Sequence, residues 1–265
     1  MLYAVPLKLH GAVMSKLENA RAKSRWFYFI LAIAMLATAL AGFLQSYFAP
    51  LAAGGFKGPP LHHIHGIFFF SWMLLFAVQT WLVASGRTAF HRELGLLGVA
   101  IATAMAFSVM VTVVERIHFF DQFGTGDGMR VFTWVQVGGM LFFASLVALA
   151  IAKNRRPEIH KRLMLLATIS ILDAPMARII GMNFLPPPPP GPPAHAPVIL
   201  AVMGGLAACA FLAAAIVYDW KTRGRPHPVY LWGGAAFVVF QLTRVPISES
   251  AAWMSVATFI GGLGG

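Results

Sequence analysis

Residues 26–48 read WFYFILAIAMLATALAGFLQSYF, and residues 63–85 read HIHGIFFFSWMLLFAVQTWLVAS. Neither stretch contains Asp, Glu, Lys or Arg. Each is longer than the roughly 20 predominantly apolar residues that an α-helix needs to cross a bilayer. The two stretches therefore predict membrane-spanning helices.

Five further predominantly apolar runs follow, three of which carry one or two charged residues. The sequence therefore predicts an all-α integral membrane bundle of seven transmembrane helices. Only 11% of the 265 residues are charged and 58% are apolar, whereas soluble domains carry about 25% charged residues. This composition excludes an ordinary soluble enzyme, a disordered chain and a coiled coil. The predicted spans are 26–48, 63–85, 94–115, 131–152, 163–180, 197–218 and 229–245.

The basic residues predict the orientation of the bundle. If the N-terminus is cytoplasmic, fifteen Lys and Arg residues fall on the cytoplasmic side and five on the other. Such an excess marks cytoplasmic loops, so we expect the C-terminus outside. The same excess accounts for most of the net charge of +11 without a nucleic-acid partner. We expect the protein to lie in a cell membrane, and the bacterial inner membrane is the location that we favour.

The termini and one loop differ from the spans. Residues 1–25 carry five basic residues and predict a basic cytoplasmic arm on anionic lipid headgroups, followed by a single domain over 26–265. The apolar tail 246–265 either extends the seventh helix past Pro246 or lies in the membrane interface. Residues 186–193, PPPPPGPP, favour a polyproline II strut at the outer face.

Ionisable side chains within spans are functional candidates because burying them in lipid is costly. Glu115, Asp173, Arg178 and Arg244, together with Gln241, fall in the outer halves of three spans. We expect ion pairs across the bundle, such as Asp173 with Arg244 or Glu115 with Arg178. A purely structural ion-pair network is the alternative to a functional site.

The second span carries a polar face. His65, Trp72 and Gln79 follow heptad spacing and share one side of the helix, and His62 lies one turn before His65. These two histidines could hold a metal ion, although histidines are also common at membrane interfaces. His63 should point the other way, toward headgroups or another helix.

His91 and His160 begin the third and fifth predicted spans at the inner level. Neutral imidazoles entering one leaflet from two parallel helices could hold one haem b, each with its second nitrogen hydrogen-bonded. Lipid phosphates are the alternative partners, because both histidines stand beside basic residues. The single cysteine, Cys209, excludes an internal disulfide, a thiolate zinc cage and an iron–sulfur cluster.

Two motifs carry a resemblance. His65-Gly66, Gln79, Arg87 and His91-Arg92-x-Leu-Gly95, followed by Pro157-x-x-His160-Lys-Arg-Leu-Met164, resemble a group of uncharacterised bacterial multi-pass membrane proteins. That resemblance implies membership and no reaction.

A weaker resemblance is to di-haem transmembrane cytochromes b, which pair histidines at two membrane levels. It implies an inner pair of His91 and His160 and an outer site with His65. The fourth span has no histidine, so His118 would have to complete the outer site. Seven helices with a His and Asp cluster are also similar to metal-dependent hydrolases of lipid amides, but the seventh span has no histidine.

Three functions stay open. The first is a redox or small-ligand-binding protein, whose outer polar cluster would accept a quinone or small hydrophobic ligand and whose inner haem would transfer electrons. The second is a non-catalytic accessory or assembly subunit of a larger membrane complex, or a small-solute carrier. The third is a metal-dependent membrane hydrolase, which would need bound zinc.

Overall fold

The computed structural model describes residues 7–56, 58–187, 191–193 and 195–264, and these residues form helices joined by loops, with no strand among them. The first helix continues past Phe43 through a π-helical stretch, Leu44–Phe48, and a short turn, Ala49–Ala52, and a 3₁₀ turn, Gly262–Gly264, ends the described chain. The helices are α1 (Leu7–Phe43), α2 (Pro60–Ala84), α3 (Thr88–Asp121), α4 (Gly126–Ala152), α5 (Pro157–Ser170), α6 (Asp173–Phe184), α7 (Val198–Arg223), α8 (Pro228–Ser248) and α9 (Ala251–Gly261).

Six helical stretches are long and apolar enough to cross a membrane, which confirms the all-α class and identifies a membrane protein. They are Arg25–Ala52, Pro60–Ala84, Thr88–Asp121, Gly126–Ala152, Pro157–Phe184 and Val198–Arg223.

The seventh predicted span also forms a helix, α8, but α8 is not one of these six. Gln241 and Arg244 lower its hydropathy. A count of seven spans and the orientation of the termini therefore remain predictions.

The fifth predicted span, 163–180, lies within one of these stretches, Pro157–Phe184, but the helix inside it is interrupted. α5 ends at Ser170 and α6 begins at Asp173. Pro175 explains the break, because a proline lacks the N–H that an α-helix needs and its ring clashes with the carbonyl four residues earlier. Two glycines let neighbouring helices approach the break: a Cβ at Gly42 of α1 would collide with Pro175, and one at Gly204 of α7 with the Asp173 carbonyl.

The C-terminal tail does not extend the seventh helix. α8 runs through Pro246 to Ser248, and the Ser250 hydroxyl then caps the separate helix α9 by accepting from the Trp253 N–H. α9 packs against α4, where the Trp253 indole N–H donates to the Thr133 hydroxyl at 3.2 Å. The tail is therefore bound to the bundle by direct contacts.

The N-terminal arm and the proline loop lie partly outside the described residues. α1 begins at Leu7 and continues without a break into the first span, whose apolar stretch begins at Arg25. Residues 1–6 and residues 188–190 of the proline loop lie outside the described residues.

The centre of the bundle is closed around Trp72 of α2. Its indole N–H donates to the Thr168 hydroxyl of α5 at 3.3 Å, and its ring meets Phe143 of α4 edge-on at 4.8 Å. Both aromatic residues are buried. This packed layer separates the polar residues near His91 from those near Arg116. We call the two ends of the bundle the His91 end and the Arg116 end.

Candidate functional site

The predicted pair of Asp173 and Arg244 is confirmed. Arg244 Nη2 lies 2.7 Å from Asp173 Oδ2, and the Arg244 side chain is completely buried. The guanidinium and the carboxylate form an ion pair without an aligned hydrogen bond between them. Arg244 Nε has no hydrogen-bond partner among the described residues. Arg244 also lies against the Phe240 ring at 4.7 Å. The pair thus joins the start of α6 to α8 within the Arg116 end.

Gln241 lies one turn before Arg244 and is also completely buried. Neither its amide nitrogen nor its amide oxygen has a hydrogen-bond partner among the described residues. Gly205 of α7 faces this amide so closely that any Cβ there would collide with it. Nearly all buried polar groups in native proteins are hydrogen-bonded. We therefore expect a water molecule or a ligand to form hydrogen bonds with this amide.

The heptad face of the second span points into the bundle as predicted. His65 Nδ1 lies 3.3 Å from the Ser108 hydroxyl, and Gln79 Nε2 donates to the His91 carbonyl at 3.1 Å. Trp72 between them reaches Thr168. His63 points elsewhere, with Nδ1 2.7 Å from the Tyr47 hydroxyl of the segment that follows α1. This confirms the option that His63 faces another helix.

The predicted pair of Glu115 and Arg178 does not form among the described ion pairs. Arg178 donates to the Ala174 carbonyl at 3.2 Å instead. Glu115 lines an open groove of about 540 Å³ beside α3, together with His118, Gln122 and apolar side chains. His118 Nε2 is 2.7 Å from the Gly261 carbonyl at the end of α9. His65 contacts Ser108 instead, so the two histidines of the predicted outer site have different partners.

The structure brings His91 and His160 together at the His91 end, with ring centroids 6.3 Å apart and planes at 81°. His160 Nδ1 donates to the Ala150 carbonyl at 2.8 Å, so Nε2 is the nitrogen that stays free of this hydrogen bond. Two imidazoles on opposite sides of one metal atom, each with a nitrogen roughly 2 Å from it, have centroids roughly 6 Å apart. The pair could therefore hold one metal atom.

Haem fits this pair only in part. The separation of the two rings and the hydrogen bond from His160 to Ala150 suit a pair of histidines that holds a haem iron. A porphyrin also needs a slot beside the rings, and the two described grooves lie elsewhere, against α3 and between α7 and α8.

A metal site with several protein ligands does not form in the described part of the chain. No group of three or more His, Cys, Asp or Glu side chains there is placed to hold a metal ion. His62 and His65 consequently have no third ligand of these types within the described ranges, and a catalytic zinc site would need one. Comparisons with protein families, curated proteins and solved structures find no match.

The largest polar network was missed by the sequence reasoning. Arg162 of α5 forms two hydrogen bonds with the carboxylate of Asp219 on α7, at 2.9 and 2.6 Å. Both side chains are 1% exposed. Arg162 also donates to the carboxylate and carbonyl of Glu158, and its guanidinium lies 5.6 Å from the Tyr230 ring.

This network satisfies each guanidinium nitrogen and both carboxylate oxygens of the central pair. In addition to the two hydrogen bonds from Arg162, the Asp219 carboxylate accepts one from the backbone N–H of His227, at 3.2 Å. A basic residue at the end of a loop and an acid at the end of a span give no signal of pairing in the sequence, because they are 57 residues apart. Full satisfaction indicates a structural clasp between helices rather than a binding site.

Proposed function

We propose that this protein spans a bacterial inner membrane seven times, with a cytoplasmic N-terminus and an external C-terminus, and binds a small polar ligand between α7 and α8. The observation that carries the proposal is the Gln241 amide, buried with both polar atoms unpartnered. Gly205 lets this amide pack directly against α7, because any Cβ there would collide with it. A ligand with both a donor and an acceptor would satisfy the amide.

The surroundings support a binding site in a membrane protein. The ion pair of Asp173 and Arg244 lies one helical turn away, at a break between two half-helices. Broken helices are typical of solute sites in carriers, because the interrupted backbone exposes polar groups. A small-solute carrier is therefore the form of ligand binding that this geometry favours.

The test compares the native chain with Gln241→Leu, which removes the amide at nearly constant volume. Unfolding is measured in detergent with acetamide, glycine or acetate at millimolar concentration. We expect one of these solutes to raise the unfolding midpoint of the native protein, because a ligand that binds only the folded state stabilises it. We expect the Gln241→Leu protein to show no such rise.

The variant should also be at least as stable as the native protein without solute, since an unpaired buried polar group costs about 1–3 kcal/mol. The same substitution at Gln45, which is exposed, is the matched control and should keep the solute response. Loss of stability in Gln241→Leu without any solute response in the native protein would show a structural amide and refute the proposal.

A second candidate is electron transfer, favoured by the approach of His91 and His160. His91 and His160 would hold haem b there, and the bound haem would supply one-electron chemistry. The purified protein would then show a Soret band that His91→Ala or His160→Ala abolishes. A purified protein that is colourless and takes up no added haem would exclude electron transfer. Copurification of the protein with a larger complex would instead favour an accessory subunit.

A further inference from the structure

The open groove of about 540 Å³ beside α3 changes from apolar to polar along the helix. Four residues of α3 that line it follow one another at intervals of three or four, so they share one face of the helix: Val111, Glu115, His118 and Gln122. Leu263 of the C-terminal 3₁₀ turn lines the groove as well. The groove therefore lies between the end of α3 and the end of the chain.

The groove crosses the level at which α3 is expected to leave the hydrocarbon. The predicted third span, 94–115, ends at Glu115, whereas α3 continues to Asp121. We therefore expect Val111 and Val114 to lie at the depth of the acyl chains, and His118 and the residues after it to lie at the depth of the headgroups. Val111 is 38% exposed, so this apolar wall is open to lipid.

Glu115 has no cationic partner in the part of the chain that the structure describes. It takes part in none of the ion pairs there, and its Oε2 atom is buried without a hydrogen-bond partner. Arg116, its chain neighbour, lies instead against the rings of Phe119 and Phe120, at 4.7 and 4.5 Å. A carboxylate that is partly removed from water is costly without a partner, so a cationic donor in the groove would stabilise it.

The histidine of the groove also presents an acceptor. His118 Nε2 must donate to the Gly261 carbonyl at 2.7 Å, since a carbonyl oxygen can only accept. In the neutral ring Nδ1 is then an acceptor, and the amide of Gln122 can both donate and accept. A ligand that matches these groups brings several N–H or O–H donors and a positive charge.

A primary ammonium group on a lipid meets these requirements. It carries one positive charge and three N–H donors, and acyl chains attached to it would cover the apolar wall at Val111 and Val114. The trimethylammonium of a choline lipid has the same charge but no N–H. A glycerol headgroup has hydroxyl donors, but its lipid is anionic and Glu115 would repel it.

We propose that the groove binds phosphatidylethanolamine, with the ammonium group at Glu115 and His118 and an acyl chain against Val111 and Val114. The groove shares no residue with the Gln241 pocket or with the pair of His91 and His160. The proposal therefore stands whether or not either of those sites binds a ligand.

The experiment uses the full chain in nanodiscs with matched acyl chains. Phosphatidylcholine alone is compared with mixtures that contain phosphatidylethanolamine or phosphatidylglycerol, and the unfolding midpoint is recorded. We expect phosphatidylethanolamine to give the highest midpoint, because a ligand that binds only the folded state stabilises it. Its N,N-dimethyl derivative, which keeps one N–H, should give an intermediate value.

Glu115→Gln keeps the shape of the side chain and removes its charge. This variant should lose most of the rise with phosphatidylethanolamine, because a hydrogen bond to a charged group contributes about ten- to a hundredfold in affinity. Glu249→Gln is the matched control and should keep the rise, since Glu249 is exposed and lies outside the groove. If Glu115→Gln does not fold, Val111→Trp fills the groove from an exposed position and should remove the rise with Glu115 in place.

Equal midpoints of the native protein in phosphatidylcholine and in the phosphatidylethanolamine mixture would overturn the site. An undiminished rise in both Glu115→Gln and Val111→Trp would overturn it as well, and so would an equal rise with phosphatidylglycerol. None of these results bears on the Gln241 test, which uses small solutes in detergent and a different variant.

Discussion

Removing the carboxylate of Asp219 should destabilise the protein more than any single change at its surface. The carboxylate accepts two hydrogen bonds from Arg162, and both side chains are 1% exposed. Asp219→Leu leaves the guanidinium buried with only Glu158 as its acidic partner. It also removes the acceptor for the backbone N–H of His227.

The expected cost follows from burial. Breaking a buried ion pair by removing one partner costs about 3–5 kcal/mol, because the remaining charge is left uncompensated away from water. Glu158 stays in place at 2.7 Å but is 54% exposed, so we expect a cost of about 3 kcal/mol. Replacing both partners, as in Arg162→Met with Asp219→Leu, should restore stability to within about 1 kcal/mol, since no buried charge remains.

The measurement is reversible unfolding in mixed micelles with an increasing fraction of denaturing detergent, followed by circular dichroism. All four members of the double-mutant cycle are compared. The pair of Arg130 and Asp121 provides the control: Asp121 is 40% exposed, and breaking it should cost at most about 1 kcal/mol. The reasoning fails if Asp219→Leu costs less than 1 kcal/mol, or if the double variant is as unstable as the single one.

Three further changes test other contacts. Gly204→Ala should destabilise the fold, because its Cβ would collide with the backbone at the helix break. Gly128→Ala is the control and should not destabilise it, because the space around Gly128 is open. The melting temperatures of the two variants should therefore differ. Trp253→Phe removes the donor to Thr133 and should increase hydrogen exchange in α9 while α4 stays protected. Burial lowers the pKa of His195 to about 4, so the stability that the protein has above about pH 6.5 should fall as the pH drops toward 4. His195→Phe should make the melting temperature depend less on pH. The same change of melting temperature with pH in both proteins would contradict this prediction.

Several parts of the site follow from the sequence because helical periodicity and antiparallel topology are simple constraints. The spacing of His65, Trp72 and Gln79 predicts one inward face, and contacts to three other helix positions confirm it. The pairing of Asp173 with Arg244 follows from two opposite charges at one depth of a bundle. His91 and His160 meet because parallel helices bring residues that begin them to one level.

Other parts could not be predicted from local pattern. The apolar run at 163–180 hides a break, since Pro175 can kink a helix or interrupt it depending on its neighbours. The tertiary structure shows that this helix is interrupted between Ser170 and Asp173 and that Gly42 and Gly204 pack closely against the break. The partner of Glu115 was wrong for a similar reason: depth alone does not determine the direction in which a side chain points around the bundle.

The sequence by itself determined that this chain is an all-α membrane protein, because hydrocarbon allows few charges and demands long apolar helices whatever their packing. It also predicted that Asp173, Gln241 and Arg244 lie within the bundle, but it did not predict the burial of Arg162 and Asp219. The tertiary structure alone decided which of them are satisfied, as in the clasp of Arg162 with Asp219, and which are not, as in Gln241. Hydrogen bonding depends on distances of a few ångströms between helices far apart in the chain, and no periodicity along one helix specifies those distances.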